Sequence, residues 1–116
     1  MQLSSLDKEE MVSIITPIWS NIIAASRAGD YQKFSRGFTE QLKQQITEEN
    51  FQQSLSDFPL LSSIKDDFEY IDMISRDNAY SMLWRITSSK LKGEFLGVLT
   101  LLNTESGVKI AGVSAS

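Results

Sequence analysis

The feature that most constrains this chain is an apolar stretch near its end, residues 93–102, which lies between two polar segments that contain glycine. Its length and its content of leucine, valine and phenylalanine predict a long β-strand. Both faces of this strand are apolar, with Phe95, Leu99 and Leu101 on one and Leu96, Val98 and Leu102 on the other. A strand with one face in water alternates apolar and polar side chains. We therefore expect a central strand that is covered on both faces.

Three further strands are predicted around it, over residues 67–75, 79–88 and 108–115. The second shows the clearest alternation, because its even positions are apolar and the positions between them include Ser81 and Arg85. Only short, polar links separate the four strands, which favours antiparallel hairpins. The C-terminal half therefore predicts a four-stranded antiparallel meander.

The N-terminal half shows helical spacing instead. Asp7 is predicted to cap a long first helix, and Glu10 stands where it completes a capping box. Leu6 and Met11 are placed to form a hydrophobic staple across that cap. Apolar residues then recur at helical spacing along the segment, in a stripe wide enough to pack on several sides. Residues 1–6 are expected to form a frayed lead-in to this helix.

Pro17 interrupts the first helix, because proline removes one backbone hydrogen bond and clashes with the preceding turn. Two interpretations follow. In one, the helix is continuous and kinked. In the other, a short helix ends and a second one starts with Thr16 as its N-cap and Pro17 at its first position. The apolar stripe stays in phase across Pro17, which favours the kinked, continuous helix.

Three short helices are predicted next, each beginning after a residue that commonly caps helices: Asp30, Thr39 and Thr47. Gly37 is expected to end the first of them, and Phe58 is expected to face inward at the end of the last. Apolar residues in the following loop are expected to pack onto the core. Helices followed by an antiparallel meander constitute an α+β pattern, and the length of 116 residues fits a single domain.

Composition removes several classes of function. The chain has no cysteine and no histidine, which excludes disulfides, thiolate nucleophiles and histidine-based catalysis or metal binding. The net charge of −4 disfavours nucleic acid as a partner, because phosphate binding needs a basic surface. The longest apolar window, residues 11–25, is too short and too polar to span a bilayer. We expect no cofactor, no metal and no membrane contact, and a cytoplasmic protein unless a leader was trimmed before Met1.

Several motifs in a fixed order carry a resemblance. The first helix ends in Ala-Gly-Asp-Tyr at residues 28–31, with Phe34 and Phe38 after it. A closing hairpin spans residues 93–113, and its last strand reads Gly-Val-Lys-Ile-Ala-Gly-Val. In this order the motifs resemble the nuclear transport factor 2-like, or cystatin-like, superfamily over residues 7–115. The region of the short helices resembles small bacterial domains of unknown function within it.

The resemblance implies a strongly curved, cone-like antiparallel sheet wrapped around the long first helix, with a pocket between them. It also implies a homodimer formed through the outer face of the sheet, which is common in that superfamily and fits the two apolar faces of the central strand. The superfamily includes isomerases, dehydratases, transport adaptors and proteins without known activity. The fold by itself therefore assigns no function.

The residues that could form a site fall into two groups. Candidates for a pocket or an interface are Trp19, Tyr31, Tyr80, Met82, Trp84 and Phe95. Aromatic residues and methionine are enriched in both kinds of site, and a filled core is the third interpretation. Candidates for the dimer face are Leu96, Val98 and Leu102, which share one face of the central strand.

Asp72 is the carboxylate best placed for proton transfer, because it stands alone between apolar residues on a predicted strand. The simpler interpretation is a solvated strand residue, and no catalytic residue is assigned. Asp72 also follows Asp66, Asp67 and Glu69 in an acidic cluster. The cluster lacks the glycine turn of a calcium loop, and a solvated strand edge is the better interpretation.

Three hypotheses follow. The first is an uncharacterised, non-enzymatic domain that forms a homodimer through its sheet and holds a small apolar ligand in a pocket. The second is an isomerase- or dehydratase-like enzyme that uses Asp72 or another pocket carboxylate. The third is an adaptor that binds another protein through the sheet or the loop of residues 58–66.

Overall fold

The computed structural model describes residues 6–116, and its elements follow the predicted α+β order. The helices are α1 Lys8–Ala28, α2 Tyr31–Phe34, α3 Glu40–Gln45 and α4 Glu48–Asp57. The strands are β1 Glu69–Arg76, β2 Ala79–Thr87, β3 Glu94–Thr104 and β4 Gly107–Ala115. The frayed lead-in expected over residues 1–6 lies outside the described residues except for Leu6, which packs against the core.

The two ends of α1 are defined by the caps that the sequence predicts. Asp7 Oδ1 accepts a hydrogen bond from the backbone N–H of Glu10 at 2.8 Å, and Glu10 Oε1 accepts one from the backbone N–H of Asp7 at 3.4 Å. Gly29 ends the helix in the left-handed conformation, with φ of 67°, which glycine adopts without a steric penalty. The predicted capping box and C-cap are confirmed.

α1 runs through Pro17 without interruption, so the prediction of a continuous helix is confirmed. The Thr16 hydroxyl donates to the carbonyl oxygen of Val12 at 2.6 Å and does not cap a second helix. Ile15 and Trp19, which lie on either side of Pro17, are 0% and 1% exposed. Packing of this buried stripe stabilises the helix across the hydrogen bond that Pro17 removes.

α2 is shorter than predicted, because it ends at Phe34 and not at Gly37. The chain after it pairs with the edge of β4. The carbonyl oxygen of Gly37 accepts from the N–H of Ile110 at 2.7 Å, and the N–H of Thr39 donates to the carbonyl oxygen of Ile110 at 2.9 Å. Because the backbone pairs with β4 here, it leaves the helical conformation. The spacing of apolar residues in the sequence does not predict this long-range pairing.

The predicted caps of the last two helices are confirmed, but the prediction that Phe58 faces inward is wrong. Thr39 and Thr47 each accept from the N–H three residues further on, at 3.1 and 3.3 Å. Phe58 is 61% exposed, although the spacing predicts that it faces inward. α4 ends at Asp57, and the extended backbone at Phe58 turns its side chain away from the buried side of the helix. In the loop that follows, Leu60 is buried as expected.

The four strands form one antiparallel sheet in the order β1-β2-β3-β4, which confirms the predicted meander. In the ladder, Val98 of β3 lies between Leu83 of β2 and Ser114 of β4. A bulge inserts Ile71 into β1, and another inserts Ala111 into β4. Bulges increase the local bend and twist of a strand. The sheet is open, with β1 and β4 at its edges.

The two faces of the sheet differ in burial. The inner face of β2 and β3 carries fully buried side chains, namely Tyr80, Met82, Trp84, Ile86, Leu99 and Leu101. Trp19 of α1 stacks on Trp84 with ring centroids 5.6 Å apart, so the core lies between α1 and this inner face. The outward side chains of the ladder are all half-buried or exposed. Within residues 6–116, no helix has the length and apolar character needed to cross a membrane.

Candidate functional site

A cavity of about 750 Å³ opens between α1, the region from α2 to the loop after α4, and the neighbouring ends of β3 and β4. Its volume lies within the range of small-molecule binding sites, about 300–1,000 Å³. The walls are mainly apolar and come from elements far apart in sequence. They include Ile22 of α1, Phe34 of α2, Phe51 of α4, Ile64 of the following loop and Phe95 of β3.

The polar groups of the cavity are amides and hydroxyls. The polar residues in its lining are Ser26, Gln45, Asn50, Ser54, Ser114 and Ser116. Among the described residues that line it, no side chain is an acid or a base. The cavity therefore offers hydrogen bonds to a ligand but no charged side chain, and no carboxylate side chain that could move a proton.

Ser26 is the most buried of these polar residues, with 4% of its surface exposed. It lies in the last turn of α1, where its carbonyl oxygen accepts from the N–H of Gly29 at 3.3 Å. Its hydroxyl has no hydrogen-bond partner within residues 6–116. Ile15, Trp19 and Ile22 precede it on the same buried stripe at helical spacing. A serine that continues an apolar stripe is the sequence signal that could have identified it.

The six pocket or interface candidates occupy three different places. Trp19 and Phe95 line the cavity. Tyr31 lies beside it, with its ring against Phe51 at 5.7 Å and its hydroxyl donating to the carbonyl oxygen of Ile46. The other three, Tyr80, Met82 and Trp84, are buried in the core and are not part of the cavity lining. The sequence could not separate these places, because an aromatic side chain suits each of them.

Asp72 lies in solvent on the edge strand, outside the cavity lining, with its side chain 62% exposed. Its carboxylate accepts from the N–H of Met73 at 2.8 Å and from Lys8 Nζ at 3.4 Å. The hydrogen bond from Met73 and then the interactions with Lys8 lower the pKa of Asp72 below its ordinary value. A lowered pKa makes this carboxylate a weaker base, so its position and its chemistry both fit a solvated strand residue.

The rest of the acidic cluster is divided among separate ion pairs. Asp66 pairs with Arg27 at 2.7 Å, and Glu69 pairs with Arg85 at 3.2 Å. Asp67 lies 3.8 Å from Lys65 Nζ. Within residues 6–116, no group of three or more acidic side chains is arranged to hold a metal ion. Asp30 serves as the N-cap of α2 through the N–H of Lys33.

The three dimer-face candidates lie together on the outer face of the sheet. Leu96 is 39% exposed, and Val98 and Leu102 are half-buried. The register places two more apolar residues on this face: Leu83 of β2 lies opposite Val98, and Ile74 of β1, which is 55% exposed, lies opposite Ser81. We call these five apolar residues the outer patch. Ile74 and Leu83 are not among the predicted dimer-face residues, although alternation along β2 was the signal for Leu83.

No protein-family model matches the chain, and no curated protein matches it.

Proposed function

We propose that the protein is a non-enzymatic domain that forms a homodimer through the outer patch and holds a small apolar ligand in its cavity. The observation that carries the proposal is the outer patch itself. Five apolar side chains share one open sheet face, and they include Ile74 and Leu96 with 55% and 39% of their surface exposed. Exposed apolar patches with polar surroundings commonly mark interaction sites.

The experiment that tests the dimer replaces one side chain of the outer patch by a charge. We expect Val98→Asp or Leu96→Asp to give a folded monomer, because burying an unpaired carboxylate in an apolar interface costs several kcal/mol. Ile14→Asp is the matched control, since Ile14 and Leu96 have the same exposure of 39% but Ile14 lies on α1. Sedimentation velocity measures the mass, and near-ultraviolet circular dichroism verifies the fold.

The outcomes separate clearly. A wild-type dimer that Ile14→Asp leaves intact and that both sheet variants dissociate supports the proposal. A wild-type monomer, or a dimer that neither sheet variant affects, contradicts it.

Membership of the nuclear transport factor 2-like superfamily and a strongly curved, cone-like sheet belong to the same proposal. The order of elements supports it, with a long helix ending in Gly29, short helices and then a four-stranded meander. The bulges at Ile71 and Ala111 also support it, since bulges are the usual means of bending strands. A crystal structure in which the two edge strands do not bend toward α1 would contradict the cone.

The enzyme alternative has little support in the cavity. Its chemistry needs an acid or a base close to the substrate, and the described lining residues supply neither in a side chain. Asp72, the carboxylate proposed for it, lies in solvent.

The adaptor alternative has one specific observation in its favour. Phe58 is 61% exposed at the edge of the cavity, in the loop that this hypothesis names.

A further inference from the structure

We propose that the cavity takes an uncharged, largely apolar molecule that carries one hydroxyl or carbonyl group, and that Ser26 hydrogen-bonds to that group. This inference rests on the ligand cavity of the proposed function and specifies the chemistry of its ligand.

The hydrogen bonding of the buried serines supports the proposal. Ser26, Ser35 and Ser63 are the fully buried polar residues of the described chain. The Ser35 hydroxyl donates to the carbonyl oxygen of Tyr31 at 2.8 Å, and the Ser63 hydroxyl donates to that of Pro59 at 2.6 Å. Ser26 alone of the three has a hydroxyl without a partner in the described chain. Since buried polar groups are nearly always hydrogen-bonded, this hydroxyl calls for a partner from outside the chain, either a water molecule or a ligand that displaces it.

The position of the Ser26 hydroxyl also supports the proposal. The polar side-chain atoms of residues 6–116 that are both enclosed and unpaired are Trp19 Nε1, Tyr70 Oη and Trp84 Nε1. The Ser26 hydroxyl is not among these enclosed atoms, and Ser26 lines the cavity. Its hydroxyl therefore borders the cavity space, where the polar group of a ligand can reach it.

The lining of the cavity also bears on the charge of the ligand. A charged group that enters an apolar site loses its hydration, and it stays charged only if an opposite charge compensates for that loss. The described lining residues contain no acidic or basic side chain. The basic residue next in sequence, Arg27, pairs with Asp66 at 2.7 Å and is not part of the lining. An uncharged ligand therefore fits the cavity better than a carboxylate of the same size.

The exposed fractions of the lining residues indicate how the ligand is oriented. Exposure falls from 61% at Phe58 to 8% at Leu60 and 4% at Ser26, all of which line the cavity. The polar group of the ligand therefore lies at the buried side, beside Ser26, and its apolar body extends toward Phe58. The Asn50 side-chain amide already donates to the carbonyl oxygen of Gln45 at 2.9 Å, and Ser26 is the most buried of the polar residues in the lining.

The experiment uses three aromatic probes of matched size: naphthalene, 2-naphthol and 2-naphthoate. Their affinities are measured by displacement of the uncharged dye N-phenyl-1-naphthylamine from the intact protein. For the wild type we expect 2-naphthol to bind about tenfold more tightly than naphthalene, which is the effect of one hydrogen bond. We expect 2-naphthoate to bind at least tenfold more weakly than 2-naphthol.

Three variants test the role of Ser26. Ser26→Ala is expected to abolish the preference for 2-naphthol and to leave the affinity for naphthalene unchanged, which a merely structural defect would not do. Ser26→Thr keeps the hydroxyl and is expected to retain the preference. Ser35→Ala is the matched control, because Ser35 is also a buried serine but lies outside the cavity lining, and it is expected to keep the wild-type preference.

The outcomes distinguish this inference from the function on which it rests. If naphthalene binds but 2-naphthol shows no preference, or if Ser26→Ala keeps the preference, the role of Ser26 is overturned and the ligand cavity stands. If 2-naphthoate binds most tightly, the uncharged ligand is overturned. If neither the dye nor any probe binds, the ligand cavity of the proposed function is overturned, and this inference with it.

Discussion

Gly97 of β3 allows the Trp19 side chain of α1 to lie directly against the sheet. A Cβ at this position would lie 2.6 Å from Trp19 Cζ2 and 2.8 Å from Trp19 Cη2, distances that a folded core does not accommodate. The absence of a side chain lets the Trp19 ring lie on the sheet and stack on Trp84, with only 3° between the ring planes. One glycine therefore permits the two largest side chains of the core to pack together.

Gly97→Ala is expected to lower the free energy of unfolding by about 1–3 kcal/mol, because the new methyl group must displace the Trp19 ring from a filled core. The matched control is Gly112→Ala on β4, where an added Cβ meets Thr100 at 3.4 Å, an ordinary contact. Urea unfolding, monitored by tryptophan fluorescence, measures both variants. Equal loss of stability in the two would show that the approach of Trp19 to Gly97 is not what limits this position.

At the scale of elements, α1 depends on local signals at its ends and on long-range packing along its length. Asp7 and Glu10 close the N-terminus, and Gly29 closes the C-terminus. Between them the helix continues through Pro17 because its buried stripe is held against the sheet. β3 shows the complementary situation. Its inner side chains face α1, whereas its outer side chains belong to the outer patch.

Asp7→Ala is expected to lower the free energy of unfolding by about 1 kcal/mol, because the N–H of Glu10 loses its acceptor at the start of α1. Asp7→Asn provides the control, since asparagine caps helices about as well as aspartate does. Urea unfolding followed by far-ultraviolet circular dichroism measures both. Equal destabilisation by the two substitutions would attribute the effect to the lost charge and not to the cap.

At the scale of the whole molecule, the outer face carries opposite charges at its two ends. At one end Glu69 and Glu94 share Arg85, at 3.2 and 3.4 Å, which leaves a net negative charge. At the other end the register places Arg76 and Lys109, which form no ion pair with another described residue. In the proposed dimer, a two-fold axis across the strands brings opposite charges together, whereas an axis along the strands brings like charges together.

We therefore expect the axis across the strands, and charge exchange tests it. Lys109→Glu and Glu94→Lys are each expected to raise the dissociation constant of the dimer by about threefold to tenfold, since exposed pairs contribute modestly. An equimolar mixture of the two variants is expected to form heterodimers at nearly the wild-type affinity, because each altered residue then meets its opposite. With one variant uniformly labelled with ¹⁵N, native mass spectrometry identifies the heterodimer by its intermediate mass. Homodimers that persist without heterodimers would favour the other axis.

The sequence alone was sufficient for the parts of the fold that depend on neighbours in the chain. Asp7, Thr39 and Thr47 cap helices through hydrogen bonds that span three residues, and such bonds are readable as spacing. The alternation along β2 likewise follows from the two-residue period of a strand. These features were predicted because the interacting groups lie close together in the chain.

Only the tertiary structure decided the features that join distant segments. α2 ends at Phe34 because the chain after it pairs with Ile110, more than seventy residues further on. The cavity joins α1, the short helices and the ends of β3 and β4, so no local pattern encloses it. Ser26 continues an apolar stripe, but its unpaired hydroxyl beside that cavity emerges only when these elements pack. Local chemistry thus determined the elements, whereas burial and hydrogen bonding between them, which depend on distance in space, decided the site.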